Sequence, residues 1–276
     1  MFRHMHRLQK WVNEQHHVGV FTIDEILANI AESERMFGTC NELCAAFTNR
    51  SYASITREVL QDVLYYTAGG YTGSNRFLLD KNDENYYRGH FPRFILQYSM
   101  LEAIAGGIRT AREVGSWRPM SSVVLANEGV KVEYGCEQEQ PSYYIGNTEY
   151  QQININQMPN LAPVDIVICT EVLEHLPVNL YAVRDWLVGQ VNIGGHILLS
   201  FPTGNIVKGG YGDTLPLSVE QTYGQHLREF PGGEAMKFVN EIKGFSVIHS
   251  EPIKTPLYLE GVGILHVLLK RDGVAV

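Results

Sequence analysis

The chain is poor in cysteine, in positive charge and in long apolar runs, and each shortage excludes something. Four cysteines, Cys40, Cys44, Cys136 and Cys169, are spread over 276 residues. Cys40 and Cys44 have no second pair at metal-ligand spacing, and so few thiols in so long a chain do not make a disulfide framework. Reduced thiols in a cytoplasmic protein are therefore expected, and no metal centre. Lys and Arg number 22 against 30 Asp and Glu, a net charge of −8. Sequence-independent nucleic-acid binding relies on Lys and Arg to neutralise phosphates, so nucleic acid is not an expected partner. No apolar run approaches the roughly 20 residues that span a bilayer. The first residues, Met1-Phe2-Arg3-His4-Met5-His6-Arg7, lack the apolar stretch of a secretory signal. A soluble protein with no membrane partner follows as an expectation.

Two tempting features also lack what their chemistry needs. Gly69-Gly70-Tyr71-Thr72-Gly73-Ser74-Asn75 is rich in glycine but has no Gly-Lys-Ser/Thr ending to reach phosphate and magnesium. It reads as a plain loop. His4, His6, His16 and His17 cluster near the start, and the bland reading is a solvated surface.

What is present is a large apolar fraction, 45% of residues, enough for a sizeable core. The first third reads as helical. Thr22, with Asp24 and Glu25 after it, has the oxygen cap and acidic first turn of a helix start. Ile55, Val59, Leu60, Val63 and Leu64 recur at helical spacing between Ser54 and Tyr66. Lys81 to His90 is polar and aromatic and reads as loop. This divides the chain into a helical N-terminal extension or lid over residues 1–92 and an α/β domain over 93–276.

From Met120 onward, short β-branched runs alternate with helical stretches. Val130 to Tyr134, Gln152 to Ile155, Asp165 to Cys169 and His196 to Phe201 read as strands. Val172 to Val188 reads as a helix with Leu173, Leu176, Leu180, Val183 and Leu187 on one face, which Pro177 kinks or restarts. Glu234 to Ile242 is a further helix, stopped at Gly244. Strands alternating with helices predict a mostly parallel sheet covered on both faces. The last two strands, Phe245 to His249 and Gly263 to Leu269, have no helix between them, so they are antiparallel or unpaired.

Val164-Asp165-Ile166-Val167-Ile168-Cys169-Thr170-Glu171-Val172-Leu173-Glu174-His175-Leu176-Pro177 resembles the fourth-strand motif of small-molecule class I S-adenosylmethionine-dependent methyltransferases. Gly194-Gly195-His196-Ile197-Leu198-Leu199-Ser200-Phe201-Pro202 resembles the next strand of that family. His226-Leu227-Arg228-Glu229-Phe230 and Lys243-Gly244-Phe245 resemble its run into the sixth strand. The resemblance covers residues 120 to 270. It implies a Rossmann-like α/β fold, a mostly parallel seven-stranded sheet whose last strand is antiparallel. It implies S-adenosylmethionine as cofactor and a small-molecule acceptor. The N-terminal helices, with Tyr86, Tyr87, His90 and Phe91 after them, would form a lid or a homodimer surface.

The resemblance also implies site residues. Thr170 and Glu171 stand at the carboxyl end of the fourth strand, where ligands of such sheets bind. Glu174 and His175 follow at a helix start, where capping alone would also account for them. His175 and His226 are the candidate general bases. Glu137, with Glu139 in reserve, matches the acid that holds the ribose hydroxyls, and Asn154-Ile155 matches the adenine-binding turn. The family's first motif, a strand ending in an acid and then Gly-x-Gly-x-Gly, has no intact counterpart. One register opens the sheet at Val123 to Ala126. The other takes Met100 to Gly107 as a degraded motif with Glu102 and Gly106 in the cofactor site, although the same segment also suits a plain helix. A non-catalytic scaffold that has lost the cofactor site is the alternative function.

Overall fold

The computed structural model describes residues 18–22, 24–25, 28, 76–115, 125–126, 128–135, 153–217, 226–253 and 263–273. Strands β1 (Val18–Thr22) and β2 (Arg76–Asp80) form an antiparallel ribbon. At its end, Thr22 Oγ1 accepts from the Glu25 backbone N–H, and the Glu25 carboxylate accepts from both the backbone and hydroxyl of Thr22. This is a reciprocal capping box, as the Thr-x-x-Glu spacing leads one to expect. The helix read over Ser54 to Tyr66 and the loop at Gly69 to Asn75 lie outside the described residues.

Helix α1 (Lys81–Ile104) replaces the loop expected over Lys81 to His90. It also runs across the boundary drawn at 92/93. Its second half explains both results. Every residue from Arg93 to Leu101 is buried, so the helix is covered all round and shows no amphipathic stripe. Tertiary burial outweighs the helix-breaking signals of Gly89 and Pro92.

The main sheet has six described strands. They are β3 (Thr110–Val114), β4 (Lys131–Gly135), β5 (Val164–Thr170), β6 (Val191–Pro202), β7 (Phe245–Ile253) and β8 (Ile264–Arg271). Their order is β4-β3-β5-β6-β8-β7. The first four are mutually parallel; β8 runs antiparallel to both neighbours. The direct β7–β8 connection requires that reversal, because no crossover helix links them.

Residues alternate between two covered faces. Val167, Cys169, Leu199, Phe201, Val267 and Leu269 pack with helices α2 (Leu180–Gly189) and α3 (Glu234–Asn240). Ser200 and His266 point the other way, toward Gln97 of α1. The expected long helix from Val172 is broken at Pro177. A short 3-10 turn covers Leu173–His175, and α2 restarts at Leu180, capped by Asn179 Oδ1 on the Ala182 N–H at 3.1 Å. The strand expected at Gln152 to Ile155 is instead an irregular stretch leading into a 3-10 turn over Ile155–Gln157. Among the described residues, no helix is long and apolar enough to cross a membrane.

The opening strand is Thr110–Val114, which neither register anticipated. Its partner β4 is the strand expected at Val130 to Tyr134. The Met100 to Gly107 segment is the end of α1 and a 3-10 turn, not a strand.

Candidate functional site at the carboxyl ends of the central strands

The topology locates the cleft before any side chain is considered. β3 has β4 on one side and β5 on the other, so successive crossovers leave it in opposite directions. Ligands of open α/β sheets bind at that switch point, outside the carboxyl ends of the strands. Here those ends are Val114-Gly115 and Thr170-Glu171.

β3 ends Glu113-Val114-Gly115, an acid followed two residues later by glycine. Gly115 has φ +69°, and a Cβ there would collide with the Val172 side chain. Glycine thus permits the left-handed turn and the close approach of the β3 and β5 ends. Glu113 is buried. Glu102 and Gly106 lie elsewhere. α1 passes the β5 carboxyl end at Arg93 and finishes at the amino end of β3, so these two residues are removed from the switch point by the length of the sheet. A helix and a 3-10 turn, not a strand, carry them, so the register that takes Met100 to Gly107 as the opening strand is not the one the sheet uses.

Asp165 opens β5 at the same distant edge. Its Oδ2 accepts from the backbone N–H groups of Arg109 and Thr110 at 2.9 and 3.0 Å, and its Oδ1 from Asn192 at 2.8 Å. Burial alone would raise its pKa, but these hydrogen bonds hold it below the ordinary carboxylate value. Its role is to tie three strand entries together.

At the cleft, Glu171 has φ +55°, unusual for a residue with a side chain. Its position is over-determined. Its backbone N–H donates to Ser200 O, its Oε1 accepts from Ser200 Oγ at 2.9 Å, and its Oε2 lies 3.2 Å from Arg93 Nη1. The chain of contacts continues inward through Gln97 to His266 at 3.1 Å. An amide nitrogen only donates, so His266 Nε2 accepts and the imidazole is neutral. Burial, then the Arg93 charge, push its pKa down to about 3. The unfolded chain takes up a proton below about pH 6.5 that the folded site refuses. Stability relative to His266→Gln is therefore expected to fall by roughly 1.4 kcal/mol per pH unit on acidification from about pH 6 to 4. Urea unfolding of both proteins across that range checks it; a constant difference would show that His266 is not the group responsible.

The 3-10 turn after β5 brings Glu174 and His175 to the same rim. Glu174 is fully buried, and neither carboxylate oxygen has a hydrogen-bond partner among the described residues. Burial first, then the nearby Glu171 charge, raise its pKa well above the ordinary value. Its backbone carbonyl accepts from Leu227 and Arg228, so residues 226–230 are stitched onto this turn. That places the His226 ring 5.0 Å from His175, edge to face. His226 Nδ1 is 2.6 Å from Glu229 Oε1, and Glu229 Oε2 accepts from the Ile206 N–H. Arg228, wholly buried, donates to the carbonyls of Val178 and Asp213 at 2.7 and 2.8 Å.

Thr170, Glu171, His175 and His226 are therefore brought together. Asn154 Oδ1 accepts from Asn156 N–H at 3.0 Å and caps its turn, while Ile155 is buried in the core. Glu137 and Glu139 lie outside the described residues. Sequence reading missed Arg93, Gln97, Glu113, Gly115, Ser200 and Glu229. It also assigned no metal ligands, whereas Glu174, His175 and His226 each offer a donor atom within 4.8 Å of the others.

The mixed six-stranded sheet, with its switch point at β3 and its reversed strand β8, has the architecture of the Rossmann-like methyltransferase fold. No protein-family model and no curated protein matches the chain. Solved structures do. The 1,6-didemethyltoxoflavin-N1-methyltransferase of Burkholderia thailandensis is 13% identical, with 64% of this chain and 76% of that one covered at a TM-score of 0.49. The magnesium protoporphyrin IX methyltransferase of Synechocystis PCC 6803 is 17% identical, with 83% and 97% covered at 0.48. The N-methyltransferase NodS of Bradyrhizobium japonicum WM9 is 13% identical, with 80% and 97% covered at 0.46. At such identities the fold assignment rests on the sheet order, and the site on this chain's own residues.

Proposed function

We propose that this protein transfers the methyl group of S-adenosylmethionine to a small-molecule acceptor. The observation that carries the reading is the switch point itself, where the acid–glycine turn Glu113-Val114-Gly115 meets the carboxyl end of β5. The rim suits the cofactor's charge. Glu171, paired with buried Arg93, and the Glu229 carboxylate beside buried Arg228 give the rim carboxyl groups suited to a cationic sulfonium ligand. Thr170 and Glu171 would border the cofactor, Asn154 and Ile155 the adenine, and Glu137 the ribose hydroxyls.

The cofactor, when bound, supplies an electrophilic methyl group. The chain's part is to place the acceptor atom in line with it, and proximity and orientation provide much of such rates. In the metal-free protein His175 and His226 would take a proton from a hydroxyl or ammonium acceptor.

Calorimetric titration with S-adenosylmethionine and S-adenosylhomocysteine tests the reading. Micromolar binding is expected, weakened by at least about tenfold, or ~1.4 kcal/mol, in Glu137→Ala. One observation favours a second reading, a non-catalytic scaffold. Counting from Gly115, Trp117 and Pro119 occupy the places of the later two glycines. A folded protein that binds neither ligand would establish that second reading instead.

A further inference from the structure

We propose that Glu174, His175 and His226 form a binding site for a single divalent transition-metal ion. The inference does not rest on the methyl-transfer reading. A donor atom from each residue lies within 4.8 Å of the other two. His175 Nε2 is 3.8 Å from Glu174 Oε1. Two imidazoles and one carboxylate are a ligand set that zinc and neighbouring first-row ions accept, with bonds near 2.0–2.2 Å. Binding would draw the two partly exposed rings toward the ion.

The buried carboxylate is the second, independent observation. Glu174 has no exposed surface, and neither of its side-chain oxygens meets a hydrogen-bond donor among the described residues. Buried carboxylates are ordinarily paired or bound to a cation. Around this one, the neighbouring elements contribute Glu171, held by Arg93, and Glu229, held by the Ile206 N–H. A metal ion at the His175–His226 edge would compensate Glu174 directly.

The support for His226 has the form metal-binding histidines need. A carboxylate oxygen accepts, so the 2.6 Å contact to Glu229 Oε1 puts the ring proton on Nδ1 and leaves the lone pair on Nε2. A carboxylate behind a ligating imidazole fixes its tautomer and raises its basicity. Glu229 is in turn fixed by glycine. A Cβ at Gly204 would overlap the Glu229 carboxylate, so only glycine lets that carboxylate lie against the backbone. Three protein ligands leave at least one coordination position for water or a bound substrate.

The test uses the full chain stripped with chelator and titrated with Zn²⁺ by calorimetry, then with Co²⁺ by visible absorption. His4, His6, His16 and His17 could bind metal on their own, so all titrations are repeated with these four changed to Ala. One equivalent of Zn²⁺ is expected in both backgrounds, with the intense visible bands of low-symmetry Co²⁺. His175→Ala and His226→Ala should each weaken binding by at least about 100-fold, and Glu229→Gln by about 10–100-fold. Glu174→Gln should abolish it; if that variant does not fold, the two histidine variants decide. Absence of stoichiometric binding, loss of binding with the N-terminal histidines alone, or binding indifferent to His175→Ala and His226→Ala would each overturn the proposal. None of these outcomes depends on S-adenosylmethionine, so failure here is distinct from failure of the methyl-transfer reading.

Discussion

Gly115→Ala is expected to destabilise the protein by about 2–4 kcal/mol and to abolish cofactor binding. Two costs add. A left-handed backbone at φ +69° costs a residue with a Cβ roughly 1–2 kcal/mol. The new methyl group also runs into the Val172 side chain, and overpacking of this kind costs about 1–3 kcal/mol. The costs are separable. Val172→Ala removes the obstacle but not the backbone penalty, so the double variant should recover the steric part of the loss. Urea unfolding of the two single variants and the double variant measures that coupling. If Gly115→Ala were as stable as the wild type, the turn at the β3 end would not be as described, and the cleft with it.

The second large effect belongs to Arg228. Replacing it with Met keeps much of the aliphatic stem but leaves the partly buried carbonyls of Val178 and Asp213 without their donors. A fully buried unsatisfied group costs about 1–3 kcal/mol and water reaches part of this site, so a loss of roughly 1–3 kcal/mol is expected. The functional loss should exceed what stability alone produces. Arg228 ties residues 226–230 to the segment between β5 and α2, and its own backbone N–H, like that of Leu227, donates to Glu174 O. Loosening it separates His226 from His175. Calorimetry at a temperature where the variant remains folded should therefore show weakened Zn²⁺ binding. A loss below about 1 kcal/mol would mean that water replaces the guanidinium without strain.

Some of this was readable in the residues and some was not. β5 and β6 are near-continuous apolar runs because strands buried on both faces need apolar residues at every position. Their motifs stood out for the same reason. β3 did not, although it is the first strand of the parallel set and ends at the switch point. Its sequence, Thr-Ala-Arg-Glu-Val, places two charged residues in succession, yet Arg112 and Glu113 are 2% and 4% exposed. Arg112 is compensated by Gln190 Oε1 at 2.8 Å, Glu133 Oε2 at 2.7 Å and Ala162 O at 3.0 Å. Those partners come from three other segments, and a hydrophobicity pattern contains none of them. The acid–glycine pair Glu113-x-Gly115 is the one signal of this strand end in the sequence.

α1 failed for the opposite reason. Buried all round from Arg93 to Leu101, it has no polar face to reveal a period, so strand and helix fitted the same letters. A resemblance of motif made Thr170, Glu171, His175 and His226 candidates, and the sequence alone determined the alternation of strands and helices, the antiparallel ending and the break at Pro177. These depend on spacing within one segment. Tertiary structure alone decided which strand opens the sheet, that Asp165 serves the far edge, that Glu102 and Gly106 lie away from the cleft, and that Glu174 is buried with two histidines near it. Those facts depend on which distant segments become neighbours, and burial and charge compensation are properties of the neighbours as much as of the residue.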